Sequence, residues 1–155
     1  SIQYNATMSG KVVKIGISEK HGNQIENVNE VEAIQGKGLK NDRHFSENNE
    51  SKNQLTLIEL ENINYYNRES KTNIPAINFR RNIVTEGVRL NDLVNIEFLI
   101  GEIKVKGLDL CRPCISLQKS LSQKNLVKKL LLTGGLRCEI LSNGKISVGD
   151  IIKLI

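Results

Sequence analysis

Short apolar stretches, divided by glycine or asparagine, recur along this chain and constrain its fold more than any other feature. Residues 94–100 and 103–106 alternate apolar and polar side chains around Gly101-Glu102, which predicts a β-hairpin. Residues 11–18, 28–34 and 54–58 predict further strands. Asn143-Gly144, between the apolar residues 136–141 and 145–154, is a strong hairpin signal and predicts that these last two strands pair.

Two helices are predicted among these strands. The main one covers residues 117–132, where leucines recur at helical spacing and lysines fill the remaining face. Residues 59–68 predict a weaker helix because asparagines interrupt it. Residues 73–85, which include Pro75, are expected to be extended or irregular. The predicted fold class is therefore mainly β with a few helices, in a barrel-like single domain.

Length and composition support one globular domain. The chain has 155 residues, 39% of them hydrophobic and 25% charged, which is enough to bury a core without disulfides. Residues 1–7 resemble an expression tag or a disordered stretch, and residues 8–155 form the predicted domain. No apolar run approaches the roughly 18 residues that a membrane-spanning helix needs. We therefore expect a cytoplasmic protein with reduced thiols and no membrane partner.

The charge of the chain is mildly positive, at +5. The basic residues are scattered in short clusters, and aromatic residues make up only 4% of the chain. Single-stranded nucleic acids are usually bound on aromatic stacking platforms, so we expect no nucleic-acid partner. A mild positive charge suits a phosphorylated small molecule, and most of the lysines are expected to be solvated surface residues.

Two of the three cysteines, Cys111 and Cys114, form a Cys-x-x-Cys motif around Arg112-Pro113. A structural zinc site normally needs a second such pair, and the remaining candidates, His21, His44 and Cys138, lack ligand spacing. A thioredoxin-like redox pair would need a strand followed directly by a helix that opens at the motif, and the hairpin context does not favour it. Both of these alternatives remain open but are weakly supported.

Each cysteine has a different expected role. Positive charge nearby favours the thiolate, which is both the nucleophile and the ligand of soft metals. Cys114 follows a proline and lies beside Arg112 in the sequence, so we expect it to be a functional thiol. For Cys111, packing and chemistry are equally supported, and Cys138 is expected to be a buried strand residue.

Two basic segments are candidate anion sites. Arg80 and Arg81 adjoin Asn82, and in an extended segment their side chains would point to opposite faces, so that one enters a pocket while the other is solvated. Arginine binds phosphate or carboxylate in a bidentate manner, although an ordinary salt bridge is the simpler alternative. The loop 36–44 carries Arg43 and His44 but lacks the spacing of a P-loop.

Several motifs, taken in order, resemble the MOSC domain, the C-terminal domain of molybdenum cofactor sulfurases, which also occurs in small stand-alone proteins. The similarity covers nearly the whole chain from about residue 11. It rests on Gly36-x-Gly38-x-x-x-Asp42-Arg43-His44, Arg81-Asn82-Ile83, Gly87 with Leu90, Ile100-Gly101-Glu102, Arg112-Pro113-Cys114-x-x-Leu117, Gly134-Gly135-Leu136-Arg137 and Gly144-x-Ile146-x-Val148-Gly149-Asp150.

The resemblance implies a barrel-like fold that binds the molybdenum-pterin cofactor (molybdopterin). It implies sulfur transfer to that cofactor or molybdenum-dependent reduction of N-hydroxylated compounds, so whether the chain is an enzyme stays open. The family's cysteine falls on Cys114, which would carry sulfur as a persulfide or ligate molybdenum. The residues expected to hold the cofactor are Arg43, His44, Arg81, Asn82, Arg112 and Arg137.

The resemblance is limited by what this chain lacks. Its 155 residues match neither the pyridoxal-phosphate desulfurase domain of full sulfurases nor the additional N-terminal domain of larger reductases, so we expect no pyridoxal phosphate site among them. The expected partners are therefore a cysteine desulfurase or other sulfur donor, a reductase or molybdoenzyme, and a small-molecule substrate. The alternative function is a non-catalytic cofactor carrier or an interaction module with a basic surface.

Overall fold

Seven β-strands close into a barrel, as a computed structural model of residues 10–20, 22, 24–49 and 51–155 shows. These strands are β1 (Gly10–Ile17), β5 (Leu55–Glu59), β6 (Ile83–Glu86), β7 (Glu97–Ile100), β8 (Ile103–Leu110), β9 (Leu136–Ile140) and β11 (Ile151–Leu154). They follow the order β11-β7-β8-β9-β5-β6-β1, and β1 pairs with β11 to close the ring. Neighbours are antiparallel except for the parallel pair β5–β6. The predicted barrel-like, mainly β domain is confirmed.

The remaining strands lie beside the barrel. Strand β2 (Glu26–Val28) extends the barrel sheet by pairing with β1. A smaller sheet has the order β10-β3-β4 and comprises β3 (Glu30–Ile34), β4 (Gly38–Leu39) and β10 (Gly144–Ser147). The predicted strand 28–34 is thus divided at Asn29, whose carbonyl accepts a hydrogen bond from the Val148 backbone N–H at 2.9 Å.

Two hydrophobic clusters cover the two faces of the central strands. Leu57 and Ile83 point into the barrel, whereas their neighbours Ile58 and Val84 point outward into a second cluster. Successive residues of a strand face opposite sides, so consecutive buried residues require both faces to be covered. The helices supply the outer cover of β5 and β6 and lie on the side of the barrel that carries Cys114.

The helices differ from the prediction. Helix α1 (Leu60–Ser70), expected to be the weaker one, is the longest in the described part of the chain because its buried face packs on the barrel. The predicted helix 117–132 is wrong as a single element, since it divides into α2 (Ile115–Ser120) and α3 (Leu126–Lys129). Ser122 and Asn125 have φ values of 54° and 63°, which no right-handed helix can contain.

The two predicted hairpins have different outcomes. The hairpin around Gly101 is confirmed, with β7 paired to β8. The C-terminal hairpin around Asn143-Gly144 is wrong, because β10 pairs with β3 while β9 pairs with β5 and β8. The side chain of Asn143 accepts a hydrogen bond from the Gln35 backbone N–H at 2.6 Å, which ties this turn to the end of β3.

Two further predictions concern residues 73–85 and the N-terminal residues. Residues 73–85 are only partly extended, since Ala76–Phe79 forms a 3-10 turn before β6 begins. The predicted tag at residues 1–7, and His21, lie outside the residues that the structure describes. Within the described residues, no helix combines the length and the apolar character needed to cross a bilayer.

Candidate functional site

Cys114 lies at the edge of a cavity of about 520 Å³, which we call the Cys114 cavity. Its thiol is exposed, and its Sγ accepts a hydrogen bond from the Leu117 backbone N–H at 3.4 Å, as the N-cap of α2. Pro113 cannot donate a backbone hydrogen bond and restricts the preceding residue to extended conformations, so the helix begins only after this point. The thiol is therefore both accessible to ligands and held at a fixed position.

Both adjacent arginines, Arg80 and Arg81, line the Cys114 cavity. The expectation that they would point to opposite faces is wrong, because Arg80 is not in a strand. It ends the 3-10 turn in the left-handed region, with φ 64° and ψ 30°. This reversal turns the chain so that successive side chains reach the same cavity.

Arg43 is a largely buried cation of the site, with 9% of its side chain exposed. Its Nη1 lies 3.5 Å from Oδ1 of Asp42 and makes no hydrogen bond to any described residue. Burial lowers the pKa of Arg43, Asp42 opposes this effect, and the neighbouring charges of Arg80 and Arg81 lower the pKa further. The site thus concentrates positive charge around a buried donor that has no acceptor.

Asp42 organises the loop that carries Arg43 and His44. Its buried carboxylate accepts hydrogen bonds from the backbone N–H groups of Ser18 at 3.1 Å and His44 at 3.3 Å. The His44 Nδ1 lies 3.7 Å from the same carboxylate, an ion pair when the imidazole is protonated. Asp42 was recognised in the sequence only as part of a motif, and nothing in that motif indicated that it positions both neighbours.

A second cavity of about 230 Å³, the Cys111 cavity, lies next to the first. His44 and Arg81 line both cavities. The seven predicted site residues are therefore brought together: Arg43 and Cys114 line the first cavity, His44 and Arg81 line both, and Asn82, Arg112 and Arg137 line the second. Three cations line the Cys114 cavity: Arg43, Arg80 and Arg81. Arg112 lines the Cys111 cavity instead.

Two residues of the Cys111 cavity are already engaged within the protein. The side chain of Asn82 accepts from the backbone N–H and the hydroxyl of Thr56 and donates to the Gly16 carbonyl at 3.1 Å, which joins β1, β5 and β6. Arg137 forms a two-point pair with Asp109, Nε to Oδ1 at 3.0 Å and Nη2 to Oδ2 at 3.1 Å. Asn82 and Arg137 thus have structural contacts within the protein, and their cofactor-binding roles stay predictions.

The other two cysteines are buried. Burial raises the pKa of the Cys111 thiol, with Arg81 and Arg137 opposing that effect and Asp109 adding to it. Burial, and then the proximity of Cys111, raises the pKa of Cys138 well above its ordinary value. Both thiols are therefore weak nucleophiles at neutral pH. The expectation that Cys138 is a buried strand residue is confirmed, since it lies in β9 with no exposed surface.

Close backbone approach at Gly134-Gly135 completes the site. A Cβ on Gly135, whose φ is +116°, would lie 2.2 Å from the Leu57 carbonyl oxygen, so only glycine fits there. The adjacent Gly134 carbonyl accepts a hydrogen bond from Nε of Arg81 at 2.8 Å. The glycines therefore allow the segment before β9 to hold Arg81 between the two cavities.

Residues that sequence reasoning missed include Ser116 and Ser120 on α2 and Lys52 at the Cys111 cavity. Arg80 was recognised, but not its place beside Arg81 in one cavity. Glycine and asparagine are the residues that usually indicate a left-handed backbone conformation, and position 80 holds an arginine. The sequence therefore contains no sign of this turn. Ser116 and Ser120 could have been found from the sequence, because their spacing of four residues places them on one face of the helix that follows Cys114.

A MOSC domain family model matches residues 40–153, a span that contains every predicted site residue. The chain belongs to the MOSC domain family, whose members are generally linked to binding of the molybdenum cofactor. No curated protein sequence matches the chain at a significant level.

Solved structures of similar proteins support the same fold. The YuaD protein from Bacillus subtilis matches with a TM-score of 0.79 and 18% identity, over 94% of each chain. YiiM from Geobacillus stearothermophilus matches with a TM-score of 0.76 and 19% identity, over 94% of this chain and 75% of that one. YiiM from Escherichia coli matches at 0.67 and 20%, over 96% and 70%. At these identities the likeness establishes the fold alone.

Proposed function

We propose that this protein binds the molybdenum-pterin cofactor in the two adjoining cavities, and that Cys114 carries sulfur for it or ligates its metal. The observation that carries the proposal is that the exposed Cys114 thiol lines the same cavity as three arginines. One of them, Arg43, has a buried N–H donor without a hydrogen-bond acceptor among the described residues. The proposed activities are sulfuration of the cofactor or molybdenum-dependent reduction of N-hydroxylated compounds.

The residues present fit the anionic part of the cofactor. A buried N–H donor without a hydrogen-bond acceptor is costly, and a phosphate oxygen that accepts from Nη1 of Arg43 would offset that cost. Arg80 and Arg81 add charge on the same cavity, and Ser116 and Ser120 add hydroxyl donors. This donor set matches a phosphate better than a neutral ligand.

The residues also fit the sulfur and metal chemistry. Among the described residues, no group of three or more histidine, cysteine, aspartate or glutamate side chains is arranged to hold a metal ion. When bound, the cofactor supplies a redox-active metal already held by its own pterin sulfurs, so one protein thiolate suffices. Cys114 is the exposed thiol among the described cysteines and is the residue that could provide it.

The chain's own residues would then perform three tasks. Arg43, Arg80 and Arg81 would bind and orient the anionic end of the cofactor. Cys114, fixed by the Leu117 N–H, would present its sulfur to the cavity. The sulfur itself would come from a cysteine desulfurase or another donor protein, and electrons for a reduction would come from a partner reductase or molybdoenzyme.

Cofactor capture tests the proposal. The protein is incubated with freshly released molybdenum cofactor, unbound ligand is removed, and metal and oxidised pterin are quantified separately. We expect near-stoichiometric capture by the wild type and by Cys138→Ala, a matched control for the loss of a cysteine. We expect capture to fall by about tenfold in Arg43→Met, the loss of one charge-assisted hydrogen bond.

The readouts separate the two roles of Cys114. If Cys114→Ala loses molybdenum but keeps pterin, the thiol ligates the metal. If the variant keeps both, and a sulfur donor persulfidates the wild type but not the variant, the thiol carries sulfur. Capture of neither metal nor pterin by the wild type would contradict the proposal and leave a protein-interaction module as the better account.

A further inference from the structure

The positive charge of this chain is concentrated in the segment that carries Cys114. Residues 110–138 contain six of the 22 basic residues and none of the 17 acidic residues, so the rest of the chain has 16 basic against 17 acidic residues. The net charge of +5 therefore arises in this one segment. The segment comprises Cys114, α2, the turn after it, α3 and the start of β9.

Five lysines elsewhere on the surface form ion pairs with glutamate side chains, whereas three lysines of this segment form none within the described part of the chain. Lys11, Lys40, Lys104 and Lys145 each lie within 3.5 Å of a glutamate carboxylate. By contrast, three exposed lysines of the segment form no ion pair or hydrogen bond with the described residues: Lys119 in α2, Lys124 in the following turn and Lys128 in α3.

Lys129 differs from its neighbours and marks the limit of this surface. Its Nζ donates to the Ser70 hydroxyl at 3.1 Å and lies over the Tyr66 ring, which directs it toward α1. We therefore define the lysine face as Lys119, Lys124 and Lys128, together with the exposed Ile115.

The lysine face adjoins the reactive sulfur. Ile115 follows Cys114 directly and is 54% exposed, and Lys119 lies between Ser116 and Ser120, which line the Cys114 cavity. Protein-binding surfaces commonly combine exposed apolar residues with charged residues that find their partners across the interface, and this segment carries both. A partner seated there would lie over Cys114.

We propose that the lysine face is the docking surface for an acidic protein that brings a persulfide to Cys114. This inference rests on the sulfur-carrying role proposed above for Cys114. The cysteine of such a donor would be surrounded by aspartate and glutamate side chains that pair with the three lysines.

The transfer that this docking serves is balanced in atoms and electrons. The Cys114 thiolate attacks the outer sulfur of the donor persulfide and forms a new sulfur–sulfur bond. The bond between the two donor sulfurs breaks, and the donor cysteine leaves as a thiolate. The proton of the outer sulfur stays with it, so the product is a persulfide on Cys114, and no external oxidant or reductant is needed.

A pair of persulfide peptides tests the inference. In the first, aspartates and glutamates flank the persulfidated cysteine, and in the second asparagines and glutamines replace them. Transfer to Cys114 is followed by intact-protein mass spectrometry at low and high salt. We expect the acidic peptide to react at least about tenfold faster at low salt, with the advantage lost at high salt.

The protein variants locate the effect. Lys119→Gln/Lys124→Gln/Lys128→Gln should remove the advantage of the acidic peptide. The control, Lys14→Gln/Lys145→Gln/Lys153→Gln, removes the same charge from strands that line neither cavity and should keep the advantage. Equal rates for the two peptides on the wild type, or an equal loss of advantage in both triple variants, would overturn the inference.

An uncharged small-molecule persulfide separates this inference from the proposed function. If it sulfurates Cys114 while the acidic peptide has no advantage, docking is wrong and sulfur carriage stands. If no donor sulfurates Cys114, sulfur carriage fails and the inference fails with it.

Binding measurements cover the other macromolecules that a basic surface attracts. The acidic peptide with serine in place of its cysteine, a single-stranded oligonucleotide and vesicles containing anionic lipid are each titrated against the wild type and the lysine-face variant. Tighter binding of the oligonucleotide or the vesicles, lost in that variant, would contradict an acidic protein as the partner. Lysine-dependent binding of the peptide alone would support it.

Discussion

The Nε group of Arg81 donates a hydrogen bond to the carbonyl oxygen of Gly134 at 2.8 Å, and Arg81 lines both cavities of the site. This bond connects the chain before β6 to the chain before β9, 53 residues apart. An arginine has five N–H donors, so a bond through Nε keeps the Nη donors for a ligand. Arg81 therefore acts as the shared wall of the two cavities.

Arg80 stores backbone strain at the site, and its replacement by glycine should change stability and binding in opposite directions. A left-handed conformation costs a side-chain-bearing residue about 1–2 kcal/mol, which glycine avoids. We expect Arg80→Gly to raise the free energy of unfolding by about 1 kcal/mol, allowing for the greater flexibility of unfolded glycine. Its affinity for inorganic phosphate should fall by about tenfold.

Lys71→Gly is the matched control for Arg80→Gly, because Lys71 ends α1 with a similar φ of 54° and lines neither cavity. It should gain similar stability with unchanged phosphate affinity. Urea unfolding and calorimetric titration measure the two quantities. An Arg80→Gly protein that binds phosphate as tightly as the wild type would remove Arg80 from the anion site.

Asn82 joins three strands from a buried position, so its side chain should matter for stability. Asn82→Ala leaves the Thr56 backbone N–H and the Gly16 carbonyl without the partners they have now. We expect the free energy of unfolding to fall by about 3 kcal/mol. Asn91→Ala, which removes one exposed hydrogen bond to the Leu132 carbonyl, should cost less than about 1 kcal/mol. A similar loss in both variants would show that Asn82 has no special structural role.

The buried thiol of Cys138 should make the protein less stable in alkali. Burial raises the pKa of this thiol well above its ordinary value of about 9, so the folded protein keeps a proton that the unfolded chain releases. The stability is therefore full below about pH 9 and falls as the pH rises above it. Between pH 8 and pH 10, Cys138→Ala should lose about 1.4 kcal/mol less stability than the wild type. Urea unfolding at the two pH values measures this difference, and equal losses would contradict the assignment.

Local patterns predicted the strands better than their pairing. Alternation identified β7 and β8 because their hairpin is closed by adjacent residues. The Asn143-Gly144 turn failed because β10 pairs with β3, a contact between parts of the chain more than 100 residues apart. No local pattern encodes such a contact, and the Asn143 side chain that bonds to Gln35 competes with the expected hairpin.

The leucine pattern of residues 117–132 failed for a related reason. Among the leucines at helical spacing, Leu117, Leu126 and Leu130 are buried, Leu121 is half-buried and Leu131 is exposed. Helical spacing alone does not reveal the left-handed residues Ser122 and Asn125, which break the helix and allow α2 and α3 to pack on the barrel separately. Most of the buried positions in this segment were thus predictable, and the path of the backbone between them was not.

The residues of the site were predicted better than their arrangement. The resemblance in Arg43-His44, Arg81-Asn82 and Cys114 selected residues that line the two adjoining cavities, although they come from distant segments. It did not distinguish the cations of the Cys114 cavity from those of the Cys111 cavity. The place of Arg80 in the Cys114 cavity, for example, follows from its left-handed turn, which is a property of the folded backbone.

Protection of Cys114 from alkylation tests most directly whether the cofactor and this thiol share a site. The rate at which iodoacetamide modifies Cys114 is measured by peptide mass spectrometry, with and without stoichiometric molybdenum cofactor. We expect bound cofactor to slow modification by at least about tenfold in the wild type, because the ligand would occupy the cavity that Cys114 lines. Alkylation at the same rate in a protein shown to hold the cofactor would place the ligand elsewhere and would contradict a cofactor site at Cys114.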